Sequence, residues 1–214
     1  MTRLPSGAEL RCSGPAGATA AVVCVNGGQG GDVAGTWSAS IEWLVHRLAP
    51  RFPSLRFGEV RYRIKSWKRL DWCVEDAREA MDAVGGERIL LLGFSMGGAV
   101  SVRVAGDPRV QTVVGLAPWI PDRLDVAPLA GRRLRVCHGS LDRALPGVPG
   151  VAPASSRRGF DRALAAGAHG DYTLIAGGLH GVALRAHWGN PVPLPRARTW
   201  ARLVAGELQR YAAG

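Results

Sequence analysis

Short, unbroken apolar runs alternate along this chain with longer amphipathic stretches. Ala20–Val25 is wholly apolar and ends at a glycine-rich loop, which is typical of a strand buried on both faces. In the next stretch, from Ser38 to Ala49, apolar residues recur at helical spacing and Pro50 follows the end. Because this alternation continues to the C-terminus, it predicts a parallel sheet whose strands are connected by helices.

The same patterns place the remaining elements. We expect Asp71 to cap the second helix. A Pro/Gly-rich stretch from Pro146 to Pro153 should precede a shorter helix near the C-terminal third of the chain. The later predicted strands are Leu55–Tyr62, Arg88–Leu92, Val110–Leu116, Leu134–Gly139 and Asp171–Ala176. The later predicted helices are Asp71–Val84, Gly98–Ala105, Ser156–Ala166 and Arg196–Tyr211.

The predicted fold class is α/β, with one domain over residues 1–214. We expect a mostly parallel sheet of six or seven strands with helices on both faces, preceded by an irregular segment at residues 1–19 that holds at most one short edge strand. Only about 17 residues separate the strands Val110–Leu116 and Leu134–Gly139. That interval is too short for a helical cap domain, so the sequence predicts a shallow, open pocket.

The residues around Ser95 carry the most specific motif. Gly93-Phe94-Ser95-Met96-Gly97 is a G-x-S-x-G sequence between an apolar strand and a predicted helix. That context is typical of a nucleophile elbow, a sharp turn that raises the serine hydroxyl above the sheet. The turn predicts a strained, positive φ for the serine, and it requires glycine two positions before and after because side chains there would collide.

An acid and a histidine follow in the order that such a nucleophile needs. Asp142 comes just after one later strand and His180 just after the last, so both should lie at the sheet edge that carries Ser95. We predict that Ser95 is the nucleophile, His180 the base and then the acid, and Asp142 the group that orients His180. The alternatives left open are His187 as the base, and Asp122 or Asp125 as the acid.

Together these motifs resemble the α/β-hydrolases, and in particular the small esterases and dienelactone-hydrolase-like proteins. The segments that carry the resemblance are Asn26–Gly31, Gly93–Gly98, His138–Asp142 and Gly178–Gly181. The resemblance extends from about Ala20 to the C-terminus and implies the capless α/β-hydrolase fold. Two residues depart from the pattern: Asn26 stands where many relatives have histidine, and Ser95 stands where dienelactone hydrolases have cysteine. Dienelactone hydrolysis itself is therefore not implied.

An oxyanion hole is the next part that this chemistry requires. We expect one donor from the backbone N–H of Met96, at the start of the elbow helix, and another from Gly28 or Gln29 in the glycine loop. A phosphate-binding loop is the alternative for Asn26–Gly31, but the chain has neither a P-loop nor a dinucleotide-binding fingerprint.

Three further residues are candidates to contact a substrate. Phe94 and Trp119 lie near strand ends at the same sheet edge, where either could line an acyl pocket. Arg61 and Arg63 flank the end of the strand Leu55–Tyr62, and Arg63 is the candidate to meet an anionic substrate group.

Charge and composition restrict the class of partner. The chain has 27 Lys and Arg against 17 Asp and Glu, a formal net charge of +10. An acidic partner or a solvated basic surface would each explain that charge, and we favour the solvated surface. No arginine stripe interleaved with aromatic residues indicates nucleic-acid binding. The four cysteines form no C-x-x-C pair, which argues against a zinc site.

These observations predict a serine hydrolase that cleaves small carboxylic esters or thioesters through an acyl-enzyme, without a cofactor or a metal. We expect a monomer or homodimer with no nucleic-acid or membrane partner. The chain has no apolar run of membrane-spanning length and no signal-peptide core, so we expect a cytoplasmic protein. Two alternatives remain: an acyltransferase or cyclase that uses the same acyl-enzyme, and a non-catalytic ligand-binding protein of the same fold.

Overall fold

The structure is a computed structural model that describes residues 1–143 and 150–214. Its strands are β1 Thr2–Arg3, β2 Glu9–Ser13, β3 Ala20–Val25, β4 Val33–Ala34, β5 Leu55–Arg61, β6 Ile64–Lys65, β7 Arg88–Phe94, β8 Val110–Leu116, β9 Arg133–Gly139, β10 His169–Ile175, β11 Ala183–Arg185 and β12 Pro191–Pro193. Its α-helices are α1 Ala39–Leu48, α2 Leu70–Val84, α3 Met96–Val104, α4 Pro153–Ala165 and α5 Ala197–Ala213. The Pro/Gly-rich stretch predicted from Pro146 to Pro153 lies partly outside the described residues.

The main sheet has eight strands in the order β1-β2-β5-β3-β7-β8-β9-β10. All neighbours from β5 to β10 are parallel, while β1 and β2 are antiparallel to their neighbours, so the prediction of a mostly parallel sheet is confirmed. The predicted count of six or seven strands is too low, because residues 1–19 supply two strands, β1 and β2, where at most one was expected. In β2 the side chain of Leu10 is buried opposite Val60, while Arg11 pairs with Glu59 of β5.

Helices cover both faces of the sheet, as the sequence predicts. On one face α2, α3 and α4 bury residues such as Met81, Val100 and Phe160. On the other face α1 and α5 bury Leu44 and Trp200 against the sheet. Because every central strand is sandwiched between these two layers, apolar residues fill both of its faces, which explains the unbroken apolar runs.

The start of α2 differs from the prediction. Asp71 does not cap the helix, because it lies within the first turn and its carboxylate pairs with Arg103 of α3 at 3.0 Å. A 3₁₀ turn over Trp67–Arg69 precedes α2, and the Ser66 hydroxyl accepts the N–H of Lys68 there at 3.2 Å. The capping side chain is therefore that of Ser66, before the 3₁₀ turn, and not that of Asp71 as predicted.

Two small sheets flank the edge at which the parallel strands end. One pairs β4 with β6, and the other is a hairpin of β11 and β12 in the segment between β10 and α5. The Ser40 hydroxyl at the start of α1 accepts the N–H groups of Val182 and Ala183, which holds the start of the hairpin against α1. Lys65 of β6 and all three residues of β11 line a cavity at this edge, so each small sheet supplies part of its wall.

The interval between β8 and β9 contains one 3₁₀ turn, Ala127–Leu129, and this fully described segment holds no cap domain. Within residues 1–143 and 150–214, no helix combines the length and apolar character needed to cross a membrane.

Candidate active site

Ser95 lies at the sharp junction of β7 and α3 with φ 54° and ψ −118°, a strained conformation for a residue with a side chain. The surrounding backbone holds this conformation. The N–H of Ser95 donates to Leu116 at 2.9 Å, and its carbonyl accepts from Gly98 at 2.9 Å and from Trp119 at 2.8 Å. The strained turn is thus fixed from both β8 and α3, and it presents the hydroxyl at the carboxyl end of the central strand.

The two glycines of the motif are required by close packing. A Cβ atom on Gly97 would lie 2.5 Å from the carbonyl oxygen of Val25 and 2.8 Å from that of Asn26. A Cβ atom on Gly93 would overlap the Gly97 carbonyl. The collisions that the sequence predicts at these positions are therefore present, and they involve the end of β3 as well as the turn itself.

The structure brings the three predicted triad residues together. His180 Nε2 lies 3.1 Å from Ser95 Oγ, and His180 Nδ1 lies 2.7 Å from Asp142 Oδ2. Ser95 and Asp142 are buried, whereas the His180 side chain is 18% exposed and faces the cavity. A proton can therefore move from the serine to the histidine while the carboxylate orients the ring.

Asp142 has a second histidine partner that the sequence analysis did not identify. His138 Nε2 lies 2.8 Å from the same Oδ2 atom that His180 contacts and 2.8 Å from the Val151 carbonyl oxygen, while Oδ1 accepts the N–H of Val151 at 3.1 Å. Burial raises the pKa of Asp142, but the hydrogen bonds from His138 and His180 outweigh it and leave the pKa below its usual value. The carboxylate is therefore ionised throughout the neutral range.

A chain of buried polar groups continues behind His138, which is itself fully buried. Its Nδ1 lies 2.7 Å from Ser156 Oγ, and that hydroxyl lies 2.9 Å from the Tyr172 hydroxyl. Tyr172 also donates to the Pro153 carbonyl at 3.1 Å. The network fixes the His138 ring from both nitrogens, so it fixes the position of Asp142 as well. The His-Gly-x-x-Asp spacing at the end of β9 is the sequence signal that could have indicated it.

The alternative triad members lie elsewhere. His187 packs edge-to-face on Trp188, with ring centroids 4.5 Å apart. Asp122 lies 3.7 Å from Arg158, and Asp125 accepts the N–H of Ala127 at 2.9 Å. None of the three contacts Ser95 or His180 in the described part of the chain.

The glycine loop lies directly opposite the elbow. A Cβ atom on Gly27 would lie 3.3 Å from Ser95 Cβ, so this backbone passes close to the nucleophile. The N–H of Gly27 donates to Asn26 Oδ1 at 2.6 Å, which leaves the next amide, that of Gly28, as the candidate donor. Gln29 lies further out, where its carbonyl accepts the N–H of Trp67 at 3.0 Å. Among the predicted loop donors, this geometry favours Gly28 together with Met96.

Asn26 occupies the position where many α/β-hydrolases have histidine, and it ties the loop down. Its Nδ2 donates to the Thr36 carbonyl at 2.8 Å, and its own carbonyl accepts from the Tyr62 hydroxyl at 3.2 Å. The asparagine thus anchors the glycine loop to the segment before α1 and to the end of β5.

A cavity of about 500 Å³ opens beside Ser95 and His180. Phe94 lines it and packs against the His180 ring, with centroids 5.2 Å apart, which agrees with the predicted position. Trp119 is not among the lining residues, because it turns toward Trp67, with ring centroids 6.4 Å apart. The prediction that Trp119 lines this pocket is therefore wrong for the cavity that the structure contains.

Arg63 also lies outside the cavity. Its guanidinium pairs with Glu75 and lies 3.4 Å from the buried carboxylate of Asp76, and it donates to the Ser6 carbonyl at 3.2 Å. Because the side chain points toward the start of α2, its charge is neutralised within the fold. The prediction that Arg63 meets an anionic substrate group is wrong, and the neighbouring cation that does line the cavity is Lys65.

Comparison with known proteins shows similarity at the level of the fold. No protein-family model matches the chain, and no curated protein matches its sequence. An α/β serine hydrolase homologue from Coxiella burnetii superposes with a TM-score of 0.67 at 16% identity, over 94% of this chain and 91% of that one. An esterase from Exiguobacterium antarcticum gives 0.69 at 11% identity, over 97% and 98% of the two chains.

A monoacylglycerol lipase from Paleococcus ferrophilus gives a TM-score of 0.67 at 13% identity, over 95% of this chain and 99% of that one. These similarities span nearly the full length of each chain, so the superposition includes the sheet together with the helices on both faces. The protein has the α/β-hydrolase fold.

Proposed function

We propose that the protein is a serine hydrolase that cleaves small carboxylic esters or thioesters through an acyl-enzyme intermediate. The observation that carries this proposal is the hydrogen-bonded sequence of Ser95, His180 and Asp142 beside an open cavity. The names of the structural neighbours, which include an esterase and a monoacylglycerol lipase, support a hydrolase. The substrate itself is inferred from the chemistry of the site.

In the first half-reaction, Ser95 Oγ attacks the carbonyl carbon of the ester while His180 Nε2 accepts the hydroxyl proton. The tetrahedral oxyanion accepts hydrogen bonds from the N–H groups of Met96 and Gly28, and Met96 adds the positive end of the α3 dipole. The C–O or C–S bond then breaks, and His180 gives its proton to the leaving alcohol or thiol.

In the second half-reaction, water attacks the acyl-enzyme. His180 accepts a proton from the water, and the new tetrahedral intermediate expels Ser95 as the leaving group while His180 returns the proton to its oxygen. The products are a carboxylic acid and the free enzyme. Asp142 stays ionised throughout and stabilises the imidazolium that forms twice in the cycle.

Loss of the His138 hydrogen bond is expected to lower kcat with little change in KM, because the position of Asp142 depends on it. We expect His138→Leu to reduce kcat about 10- to 100-fold, the range for a lost hydrogen bond to a charged group. His138→Gln should recover most of the loss, since its amide can still donate to Asp142. The measurement is kcat and KM for one ester across the three proteins. Equal activity in all three would show that His138 only fills space.

A panel of esters and thioesters with short acyl chains tests the proposal and separates it from acyl transfer. We expect the purified protein to release carboxylic acid from members of the panel in proportion to the alcohol or thiol released. Added alcohol or amine acceptors should divert little of the acyl group. Turnover that yields mainly acylated acceptor would instead identify an acyltransferase, and no turnover by the folded protein would favour a ligand-binding role.

A further inference from the structure

The residues that line the cavity have an unbalanced charge. Among the described residues, the lining includes the cations Lys65, Arg143 and Arg185, but no aspartate or glutamate. The rest of the lining is largely apolar, with Trp37, Leu184 and Leu194 among its larger members. A neutral ester would have no use for a cation at this site, so the charge distribution indicates an anionic ligand.

Arg185 does not supply that charge. Both of its terminal nitrogens pair with the Glu42 carboxylate, at 3.2 and 3.0 Å, and they also donate to the carbonyls of Trp37 and Gly189. These contacts connect the β11–β12 hairpin to α1. The guanidinium is therefore neutralised, and its role is to hold the cavity wall in place.

Lys65 is placed differently. It lies in β6 opposite Val33 of β4, and the adjacent Ser66 forms a bridge with Gln29, so the lysine is held beside the glycine loop. Its Nζ donates to the Thr36 hydroxyl at 2.7 Å, and within the described residues no carboxylate lies within ion-pair distance of it. Burial lowers the pKa of Lys65 below its usual value. Partial burial of an ammonium group without an acidic partner costs free energy, because the group loses water contacts. A bound anionic ligand would offset that cost.

The arginines near Lys65 in sequence are paired, and Arg143, the remaining cation of the cavity lining, is exposed to solvent. Arg61 pairs with Glu9 at 2.9 Å, Arg63 pairs with Glu75, and Arg69 pairs with Asp32 at 3.0 Å. Each of these side chains lies outside the cavity and has an acidic partner. Of the five cationic residues between positions 61 and 69, only Lys65 therefore lines the cavity.

We propose that the natural ester carries a carboxylate, joined to the reacting carbonyl by a short hydrocarbon chain, and that Lys65 binds this carboxylate. This inference rests on the proposed esterase function. The apolar walls suit the hydrocarbon chain, and the carboxylate would accept hydrogen bonds from the Lys65 ammonium beside Thr36. The contact is a charge-assisted hydrogen bond in a partly desolvated site, where such bonds are strongest.

Two esters with the same number of acyl carbons test this proposal. The probes are the para-nitrophenyl half-ester of adipic acid, which carries a terminal carboxylate, and para-nitrophenyl hexanoate, which does not. The wild-type protein is expected to favour the adipate half-ester about tenfold in kcat/KM, the effect of one partly buried charge-assisted hydrogen bond. The preference should decrease as salt concentration rises.

Variants at two lysines identify the residue responsible. Lys65→Met should bring the ratio of the two kcat/KM values to about one, and Lys65→Glu should invert the preference, because it places a like charge against the carboxylate. Lys68→Met is the matched control: Lys68 is exposed and does not line the cavity, so this variant should keep the wild-type ratio.

The possible failures are distinguishable. If the wild-type protein hydrolyses the hexanoate but shows no preference for the adipate half-ester, or if the preference persists in Lys65→Met, the inference about Lys65 is overturned while the esterase function stands. If the folded wild-type protein hydrolyses neither ester nor any member of the ester and thioester panel, the proposed function fails together with the inference.

Discussion

Replacement of Ser95 by alanine is expected to lower kcat for ester hydrolysis by roughly ten-thousand-fold to a million-fold. Alanine provides no nucleophile, so only the oxyanion donors and the positioning of the substrate can contribute to the residual rate. KM should change little, because the cavity walls stay in place. The measurement is steady-state hydrolysis of the best ester found in the panel, with trace wild-type contamination excluded by separate expression and purification.

Ser101→Ala is the matched control for this substitution. Ser101 is also a buried serine, in the second turn of α3, but the structure gives it no contact with His180. We expect this variant to keep activity near that of the wild-type protein. A loss in Ser101→Ala as large as that in Ser95→Ala would mean that the elbow is being distorted, and it would remove the evidence for a nucleophile at residue 95.

Asp142→Asn is expected to have the second largest effect, a loss of about ten-thousand-fold in kcat. The carboxylate holds the proton of His180 on Nδ1, so that Nε2 is free to accept the proton of Ser95. An amide would present a donor to Nδ1 and favour the wrong tautomer. Asp125→Asn is the control, since that aspartate was a sequence-based alternative and lies in a turn far from the histidine. A similar loss in both variants would contradict the assignment of Asp142.

The same substitution should change how stability depends on pH. The pKa of Asp142 is lowered in the folded state, so its ionisation stabilises the fold above the pKa of an unfolded aspartate, about 3.9. That contribution is lost as the pH falls through the lower folded pKa. The difference in unfolding free energy between wild type and Asp142→Asn should therefore be largest near neutral pH and shrink below about pH 4. Denaturant unfolding across this range would measure it, and a constant difference would contradict the lowered pKa.

Local patterns sufficed for the parts of the fold that lie within single segments. The apolar runs predict the central strands because residues buried on both faces leave no room for polar alternation. The glycines around Ser95 predict the elbow because the steric requirement is local, and the structure shows the predicted positive φ. The order of Ser95, Asp142 and His180 along the chain predicts their meeting because parallel strands end at the same edge.

Contacts between distant segments could not be predicted in this way. Ser156 of α4 contacts His138 of β9, and nothing in either local sequence indicates the 2.7 Å contact. The sequence indicated Arg63 and not Lys65, because the local sequence after β5 does not show which cationic side chain faces the cavity. Strand β1 was not predicted, because its two residues, Thr2 and Arg3, are too few to form a hydrophobic pattern.

Covalent labelling by a fluorophosphonate, read by intact mass and peptide mass spectrometry, tests whether Ser95 is an activated nucleophile. The reagent bonds only to a serine that a neighbouring base activates, and it requires no knowledge of the natural substrate. We predict one adduct per chain on the peptide that contains Ser95, no adduct in Ser95→Ala, and strongly slowed labelling in His180→Ala. If the folded wild-type protein stays unlabelled, or if the Ser95→Ala variant labels as fast as wild type, Ser95 is not the nucleophile.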